Sequence, residues 1–419
     1  MWGKIVKGIG VTAFWMMAAL LMGASSASAA KFWNTKTTYK TTKGDFKFYS
    51  YLSCDGEEAW IYKVAAKKKG DSPKKLIFPK EVKKKKVTRL GAKQPVDCDG
   101  GYNIFGAWEE RFHGIDGSAL VSEEIKTISM PDSVTEIVDD AFCAMLSLEK
   151  VKISENVTSI DHGTFADCRK LREVRLPGKL KDFDKSCFED CKKLERITMS
   201  PKNKKYAVKN NVFLTNGGKN LYWVIPNITK VKIPDSVTTI EENAFKDCRA
   251  VTVRLGKKLK NFQADTVTGG KIKNVEIGKN RYFAKHKNCI YRKKDKTLFI
   301  GIAKNRKLVV SEKVKRITNE ASVCGDRVQF NGLKVLDIPS SVTWLGKRWL
   351  KGFGFCSPEK TYFRGKKPPQ LETGKADIYD VLPAFGEVYV PKKSLRTYQN
   401  WYKSAGEYQY IKKHNWKTF

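Results

Sequence analysis

Apolar residues recur along the middle of this chain with a step of 23 residues. The repeat is clearest in IKTISMPDSVTEIVDDAF (125–142), LEKVKISENVTSIDHGTF (148–165) and LREVRLPGKLKDFDKSCF (171–188). A fourth copy, ITKVKIPDSVTTIEENAF, covers 228–245. A period of this length is typical of one supersecondary unit stacked many times. The pattern therefore predicts a solenoid, which favours a broad binding surface over a catalytic cleft.

Each repeat predicts a short strand, a turn and a brief closing segment. In LEKVKI the apolar Val151 and Ile153 alternate with lysines, as in a strand with one buried and one exposed face. Turn-forming residues follow, such as Pro131-Asp132-Ser133. The closing segment is too short for more than a turn or a 3₁₀ stretch.

The closing segments carry a phenylalanine and, three residues later, a recurring cysteine. These repeated positions are Phe142, Phe165, Phe188 and Phe245, with Cys168, Cys191 and Cys248. Because each set occupies one position of the repeat, we predict that both sets are buried in the structural core. Adjacent coils lie about 5 Å apart, so a disulfide between Cys168 and Cys191 is an open alternative.

All ten cysteines lie after residue 30. Cys54 and Cys98, both near the N-terminus, form the better candidate disulfide for an exported protein. The sequence leaves the disulfide state of Cys54, Cys98, Cys324 and Cys356 undetermined. It contains no CxxC motif or Cys/His cluster, so we predict no metal site and no cofactor.

The first 30 residues have the pattern of an export signal. Lys4 and Lys7 precede an apolar run from Ile9 to Met22, and the small-residue segment GASSASAA follows. The alternative is an N-terminal membrane anchor, but the run is shorter than the ~20 residues of a spanning helix. We therefore predict an exported protein, secreted or associated with the cell surface, that does not span a membrane after cleavage.

The two ends of the chain depart from the repeat, as expected for capping units. Near the N-terminus, FKFYSYL (46–52) and AWIYKV (59–64) predict a capping hairpin. Near the C-terminus, EVYVPKKSLRTYQNWY (387–402) predicts a strand and then a helix from about Ser394. Leu395, Tyr398 and Tyr402 fall on one face of that helix.

A longer period lies inside the solenoid. The segments KNNVFLTNGGKNLYW (209–223) and HKNCIYRKKDKTLFI (286–300) align with an offset of 77 residues, and each predicts an inserted β-hairpin. The predicted organisation is a signal peptide (1–30), an N-terminal capping hairpin region (31–72), a solenoid of about ten coils with a duplicated block around 194–317 (73–386) and a C-terminal strand with a capping helix (387–419).

The chain is strongly basic, with a formal charge of +36. Such a balance predicts affinity for anionic polymers. Among the outward strand positions of 150–254, seven of ten are basic, the others being Glu173, Thr198 and Thr252. The candidate ligand-binding residues are Lys150, Lys152, Arg175, Arg196, Lys230, Lys232 and Arg254. The alternative is that these side chains extend into water and bind nothing. None of the ten positions is aromatic, so specific nucleic-acid binding is not expected.

The sequence offers little for catalysis. Its four histidines, His113, His162, His286 and His414, lie far apart, and no GxSxG, HExxH or phosphate-binding loop occurs. We therefore predict that the protein is not an enzyme.

At this point a family resemblance becomes specific. The pattern LxxVxIPxxVTxIxxxAFxxCxxL, carried by 125–148, 148–171, 171–194 and 228–250, resembles the BspA-like leucine-rich-repeat surface proteins of bacteria. The family often has Gly after the second apolar pair, whereas this chain has Val138, Asp161, Asp184 and Glu241. It also lacks an LPxTG-like anchoring motif.

The resemblance implies a fold that is α/β by convention but strand-dominated. It would be a leucine-rich-repeat solenoid with short parallel strands on the concave face, inserted hairpins and capping ends. It also implies an exported protein that binds host or microbial partners.

Three hypotheses for function follow from these observations. The first is a monomeric binding or adhesion protein that contacts a protein, an anionic polysaccharide or a wall polymer through its basic concave face. The second is a structural envelope component held on anionic wall polymer by net charge, with no specific ligand. The third and remotest is a glycan-active enzyme on a solenoid scaffold.

Overall fold

The computed structural model describes residues 33–68, 73–91, 124–245, 248–268, 271–325, 332–346, 349–350, 358–372, 386–404 and 415–419. The chain winds into a strand-dominated solenoid of about 11 turns, which confirms the predicted fold class. Its core consists of three hydrophobic clusters that succeed one another along the chain. The predicted signal peptide, Cys98 and Cys356 lie outside the described residues. No helix within them is long and apolar enough to cross a membrane.

The N-terminal cap has one strand more than the predicted hairpin. Strands β1 (Trp33–Lys43), β2 (Phe46–Ser53) and β3 (Glu58–Ala66) form an antiparallel meander, and β3 joins the first coil by pairing parallel with β6 (Lys85–Leu90). Strand β1 lies at the sheet edge. Its sequence, WNTKTTYKTTK, lacks the apolar alternation of a half-buried strand, so the pattern did not reveal it.

The first concave sheet contains the regular repeats. Its five parallel strands are β4 (Lys75–Ile77), β7 (Thr127–Ser129), β9 (Lys150–Lys152), β11 (Glu173–Leu176) and β13 (Arg196–Met199). The short second strands of the later coils are β8 (Glu136–Ile137), β10 (Ser159–Ile160) and β12 (Asp182–Phe183). In the first coil β6 takes this place, since it pairs parallel with β8, and β5 (Glu81–Val82) pairs antiparallel with β6. The predicted inward residues are buried, as for Val151, Val174 and Ile197, so the outward positions face solvent.

Two inserted hairpins follow, one in each copy of the duplicated block. The first block contains β14 (Ala207–Lys209), β15 (Val212–Thr215), β16 (Asn220–Val224), β17 (Lys230–Lys232), β18 (Thr239–Ile240), β19 (Thr252–Arg254) and β20 (Asn274–Glu276). The second contains β21 (Phe283–His286), β22 (Cys289–Arg292), β23 (Thr297–Ala303), β24 (Lys307–Val309) and β25 (Arg316–Gly325). Strands β15, β16, β17 and β18 begin 77 residues before β22, β23, β24 and β25.

The C-terminal turns complete a third concave sheet, in the order β24-β26-β28-β30-β31. The remaining elements are β26 (Val335–Ile338), β27 (Trp344–Leu345), β28 (Lys360–Phe363), β29 (Gln370–Leu371), β30 (Glu387–Val390), α1 (Leu395–Ser404) and β31 (Asn415–Thr418). The predicted helix thus begins one residue after Ser394. It buries Tyr398 and Tyr402, and Leu395 packs partly buried against the same core. Strand β31 was not predicted.

The closing segments form the tightest part of the core. Phe142, Phe165 and Phe188 are buried and stack on one another, and Phe245 is buried in the next cluster. Short 3₁₀ stretches span Lys185–Phe188, Asn216–Gly218, Asp265–Val267 and Lys392–Ser394. Stacked aromatic rings at a repeated position fix the spacing of successive turns.

Candidate functional site

Four of the predicted binding residues lie together on the first concave sheet. We call Lys150, Lys152, Arg175 and Arg196 the first basic group; all four are exposed. In the register of the parallel strands, Lys152 faces Arg175, whereas Glu173 lies between Lys150 and Arg196. In one row of the sheet the charges alternate, in the order Lys150, Glu173 and Arg196. In the row beside it, the two cations Lys152 and Arg175 are neighbours.

The two arginines of this group already have carboxylate partners. Arg175 lies 3.1 Å from Glu155, and Arg196 lies 3.6 Å from Glu173. Partial burial acts to raise the pKa of Glu155, but hydrogen bonds from Ser200 and Gly178 and the charge of Arg175 lower it overall. These ion pairs are exposed and weak, so they leave both guanidinium groups accessible while reducing their net field.

The other predicted binding residues lie on a different sheet. Strands β17, β19 and β20 form a three-stranded sheet carrying Lys230, Lys232 and Arg254, the second basic group. The hairpin β14–β16 enters the chain between β13 and β17. The prediction of one continuous basic stripe along 150–254 is therefore wrong, because an inserted hairpin interrupts the strand stacking. The basic residues form two groups instead.

The lysines of both groups have no acidic partner among the described residues. Within the described ranges, no carboxylate lies at ion-pair distance from Lys150, Lys152, Lys230 or Lys232. Arg254 faces Glu276 in the strand register without an ion pair between them. Unpaired cations on the exposed face of a sheet are the groups most able to contact an external anion.

One further basic residue extends the first group. Lys75 on β4 occupies the same register position as Thr127 and Lys150. The outward positions predicted from the sequence did not include this lysine. The signal was present, because Lys75 and the exposed Ile77 flank the buried Leu76 as in the later repeats.

The third concave sheet has a different chemical character. Its outward positions include Tyr362 and Tyr389, which lie side by side on β28 and β30. The ten outward positions predicted within 150–254 contain no aromatic residue. Aromatic side chains on this face are therefore a finding of the structure.

The cysteines at the repeated position of the closing segments are buried and unreactive at neutral pH. The thiols of Cys168 and Cys191 are free, and each donates to the carbonyl of a phenylalanine in the preceding coil, Phe142 at 3.2 Å and Phe165 at 3.1 Å. Burial raises the pKa of Cys248 to about 11. A buried thiol with a raised pKa is a poor nucleophile, so these residues are structural.

Thiol labelling is expected to separate Cys54 from the core cysteines. With iodoacetamide at pH 8, Cys54 should label readily because it is exposed, whereas Cys168, Cys191 and Cys248 should remain unlabelled until denaturant is added. Peptide mapping by mass spectrometry measures each site. Labelling of Cys168 in the native protein at the rate of Cys54 would contradict the structural role.

A His–Ser–Asp contact occurs outside the concave face but does not have the arrangement of a catalytic triad. The Ser186 hydroxyl donates to Asp184 at 2.7 Å, and His162 Nδ1 lies 2.9 Å from the same hydroxyl. In a triad the histidine accepts the serine proton and the carboxylate orients the histidine. Here the carboxylate binds the serine and caps the 3₁₀ stretch at Lys185–Phe188, which is a structural function.

A cleft of about 790 Å³ lies where the first hairpin interrupts the closing segments. Its floor includes the buried rings of Phe188, Trp223 and Phe245, and its rim carries charged residues of both signs. Within the described part of the chain, no three His, Cys, Asp or Glu side chains converge as metal ligands.

Comparison with known proteins gives a family match. The sequence model of the BspA type leucine rich repeat region matches residues 114–216 and 215–352, in six copies. No curated protein matches the sequence.

Several solved structures are similar in fold. The pneumococcal vaccine antigen PcpA is 16% identical, with 86% of this chain and 96% of that chain covered and a TM-score of 0.42. A leucine rich cell surface protein from Faecalibacterium prausnitzii is 15% identical over 91% of this chain and 96% of that chain, with a TM-score of 0.36. A leucine-rich repeat protein from Bacteroides ovatus is 14% identical over 91% and 77%, with a TM-score of 0.34.

Proposed function

Because the chain belongs to the BspA-type leucine-rich-repeat family, we propose that it is an exported surface protein that binds a macromolecular partner through its concave sheets. The partner that fits the two sheets carrying the first and second basic groups is an anionic polymer, such as an acidic polysaccharide or a wall polymer. The protein would act as a monomer, with several weak contacts summed along the solenoid.

The observation that carries this proposal is the set of unpaired lysines on consecutive outward positions. Lys150 and Lys152 flank the buried Val151, and Lys230 and Lys232 flank the buried Val231. Two lysines on one face of a short strand hold their charges close together, inside the ~8 Å screening length of physiological salt.

The strand register increases the electrostatic cost of this arrangement in the unbound protein. Lys152 faces Arg175 directly across neighbouring strands, and like charges in that position destabilise a sheet. A phosphate or carboxylate bound between them would relieve the repulsion and accept hydrogen bonds from both. The arrangement therefore favours repeating anions spaced along a flexible chain.

The hypothesis of an envelope component without a specific ligand makes a different prediction. Retention by net charge depends on the total charge of the protein and not on where the charge lies. Binding at the concave face depends on the position of each lysine. Charge reversals of equal size at two places therefore separate the two hypotheses.

The double variant Lys150→Glu/Lys152→Glu is expected to bind polyglycerol phosphate at least about tenfold more weakly than the unaltered protein in 150 mM salt. Each lysine near an anionic surface contributes about 1 kcal/mol, and the new carboxylates add repulsion. Isothermal titration with polymer of defined length measures the effect.

The matched control is Lys192→Glu/Lys193→Glu. Both residues are exposed in a closing turn and the substitution changes the net charge by the same amount. We expect this control to bind within about twofold of the unaltered protein, because neither lysine occupies an outward strand position of the sheet. Equal losses in the two variants would support retention by net charge and reject the concave site.

A further inference from the structure

The outward face of the third concave sheet carries a cluster of aromatic and charged side chains that we call the tyrosine ladder: Tyr362, Tyr389, Phe419, Arg364 and Asp337. Tyr362 and Tyr389 are partners in the register of β28 and β30, with Asp337 in the same row on β26. Their neighbours Thr361, Phe363, Val388 and Val390 are buried, so the row itself points outward from the core.

The rings of the ladder hold one another in place. Those of Tyr362 and Tyr389 stack with centroids 4.3 Å apart and an interplanar angle of 15°. The guanidinium carbon of Arg364 lies 4.7 Å from the centroid of Tyr362 and 4.6 Å from that of Phe419. Stacking and cation–π contacts of this kind restrict the side chains before any partner binds.

The charges within the ladder are paired. Arg364 donates two hydrogen bonds to the carboxylate of Asp337, at 2.9 and 2.8 Å. Glu387 lies 3.2 Å from Lys360 and accepts a hydrogen bond of 2.8 Å from the Tyr389 hydroxyl. These charges are balanced locally. Lys417, which faces Tyr389 on β31 and helps to lower the pKa of Glu387, is the one cation of this row without an ion pair among the described residues. The row therefore holds fewer unpaired cations than the sheets that carry the two basic groups.

Apolar surface is exposed within the ladder and next to it. Phe419 is 50% exposed, and Val309, in the same register row on β24, is 45% exposed. Within the described residues, they are the most exposed of five large hydrophobic side chains that face solvent. Exposed apolar side chains grouped with tyrosine and arginine are typical of protein-binding surfaces.

We propose that the tyrosine ladder is a docking site for a partner protein, which contacts it through an uncharged segment of apolar and hydroxyl-bearing side chains. Tyrosine and arginine dominate the energetic centres of protein interfaces. A rigid, preassembled set of rings loses little conformational entropy on binding. This proposal does not depend on the anionic-polymer site of the first two sheets.

The stacking geometry favours a protein over a neutral glycan. A sugar ring packs across the open face of an aromatic side chain. In the ladder, Tyr362 and Tyr389 each use one face for the other, and Arg364 lies over the ring of Tyr362. Little of the Tyr362 face is then left for a sugar, and its ring edge and hydroxyl group remain for a partner. Edges and hydroxyl groups suit the mixed apolar and hydrogen-bonding surface of a polypeptide.

The test is a differential selection of phage-displayed twelve-residue peptides on the full chain and on its Tyr362→Ala/Tyr389→Ala variant. We expect peptides rich in apolar and hydroxyl-bearing residues to be enriched on the unaltered chain alone. Synthetic copies should bind Val309→Glu at least about tenfold more weakly, because a charge would be placed beside the ladder. Their affinity should change little between 0.1 and 0.5 M salt.

The matched control for Val309→Glu is Val251→Glu, because Val251 is also exposed, at 39%, but directly precedes β19 of the sheet that carries the second basic group. It should bind the peptides as the unaltered chain does. Circular dichroism confirms that each variant is folded.

Three results would overturn the proposal. The first is no difference in enrichment between the chain and the double variant. The second is binding of neutral oligosaccharides on a glycan array that the tyrosine variant loses. The third is concentration-dependent self-association in sedimentation experiments that Val309→Glu abolishes, which would make the occupant a second copy of this chain.

Discussion

Replacing Phe165 with alanine is expected to destabilise the protein by about 4 kcal/mol. Phe165 is fully buried, and its ring stacks between Phe142 at 5.5 Å and Phe188 at 5.8 Å, with interplanar angles of 11° and 12°. Alanine would remove both stacking contacts and leave a cavity between three successive turns. Urea unfolding followed by tryptophan fluorescence and by circular dichroism measures the loss.

The column of rings makes relaxation around this cavity difficult. Phe188 continues the stack onto Trp223, at 6.2 Å and 7°, and Phe142 contacts Phe78 edge to face at 6.1 Å. Movement of one ring into the cavity would therefore disturb its own next neighbour. Where the surroundings cannot collapse, the cost of a large-to-small substitution lies at the upper end of its range.

The control for this substitution is Tyr282→Ala, at a ring that is 42% exposed. It should change the free energy of unfolding by no more than about 0.5 kcal/mol. The two spectroscopic probes must also give coincident transitions, because solenoids can unfold in parts. A loss below about 1 kcal/mol for Phe165→Ala would show that the column is not a main source of stability.

Replacing Asn280 with alanine is expected to cost about 3 kcal/mol, although the side chain is small and polar. Asn280 is buried and its amide donates to the carbonyls of Gly256 and Leu259 in the preceding coil, at 2.7 and 2.9 Å. Its oxygen accepts from the backbone N–H groups of Tyr282 and Phe283, at 2.8 and 3.0 Å. Alanine would remove the partner of four backbone groups at once.

The other copy of the duplicated block contains an equivalent asparagine, whose replacement should cost less. Asn203, 77 residues earlier, donates to Pro177 and Leu180 and accepts from Lys205 and Tyr206. It is only half-buried, so water can replace part of what is lost, and Asn203→Ala should cost about half as much.

Hydrogen exchange tests the mechanism at residue level. In Asn280→Ala the amides of Tyr282 and Phe283 should exchange at least about tenfold faster, since their acceptor is gone. Asn280→Asp should be destabilised at least as much as the alanine variant, because a carboxylate would face two carbonyl oxygens. Unchanged exchange at both amides would show that Asn280 does not connect the coils.

The regular coils could be predicted from the sequence, whereas the edge strand of the N-terminal cap could not. The 23-residue step predicted the strand, the turn and the buried phenylalanine of the regular coils, because each coil repeats the same local contacts with its neighbour. The outward positions of β9, β11 and β13 followed from alternation alone, since side chains alternate between the two faces of a strand. The same argument failed for the edge strand β1, which has no buried face to impose a pattern.

The basic surface was predicted only in part. The sequence identified the residues of both basic groups, but their division between two sheets depends on where the hairpin β14–β16 inserts. Nor did it show that Arg175 and Arg196 have carboxylate partners. Glu155 lies outside the strands, so no periodicity links it to Arg175.

The sequence by itself determined that this protein is a solenoid with a buried ring in each regular coil and basic residues on its exposed strand faces. Local patterns suffice for that, because each coil buries the same positions. Only the tertiary structure decided which outward residues become neighbours. Tyr362 and Tyr389 are 27 residues apart, off the 23-residue step, and they stack because β28 and β30 pair in register. No repeat in the sequence encodes that pairing, because the spacing of these two strands departs from the step of the regular coils.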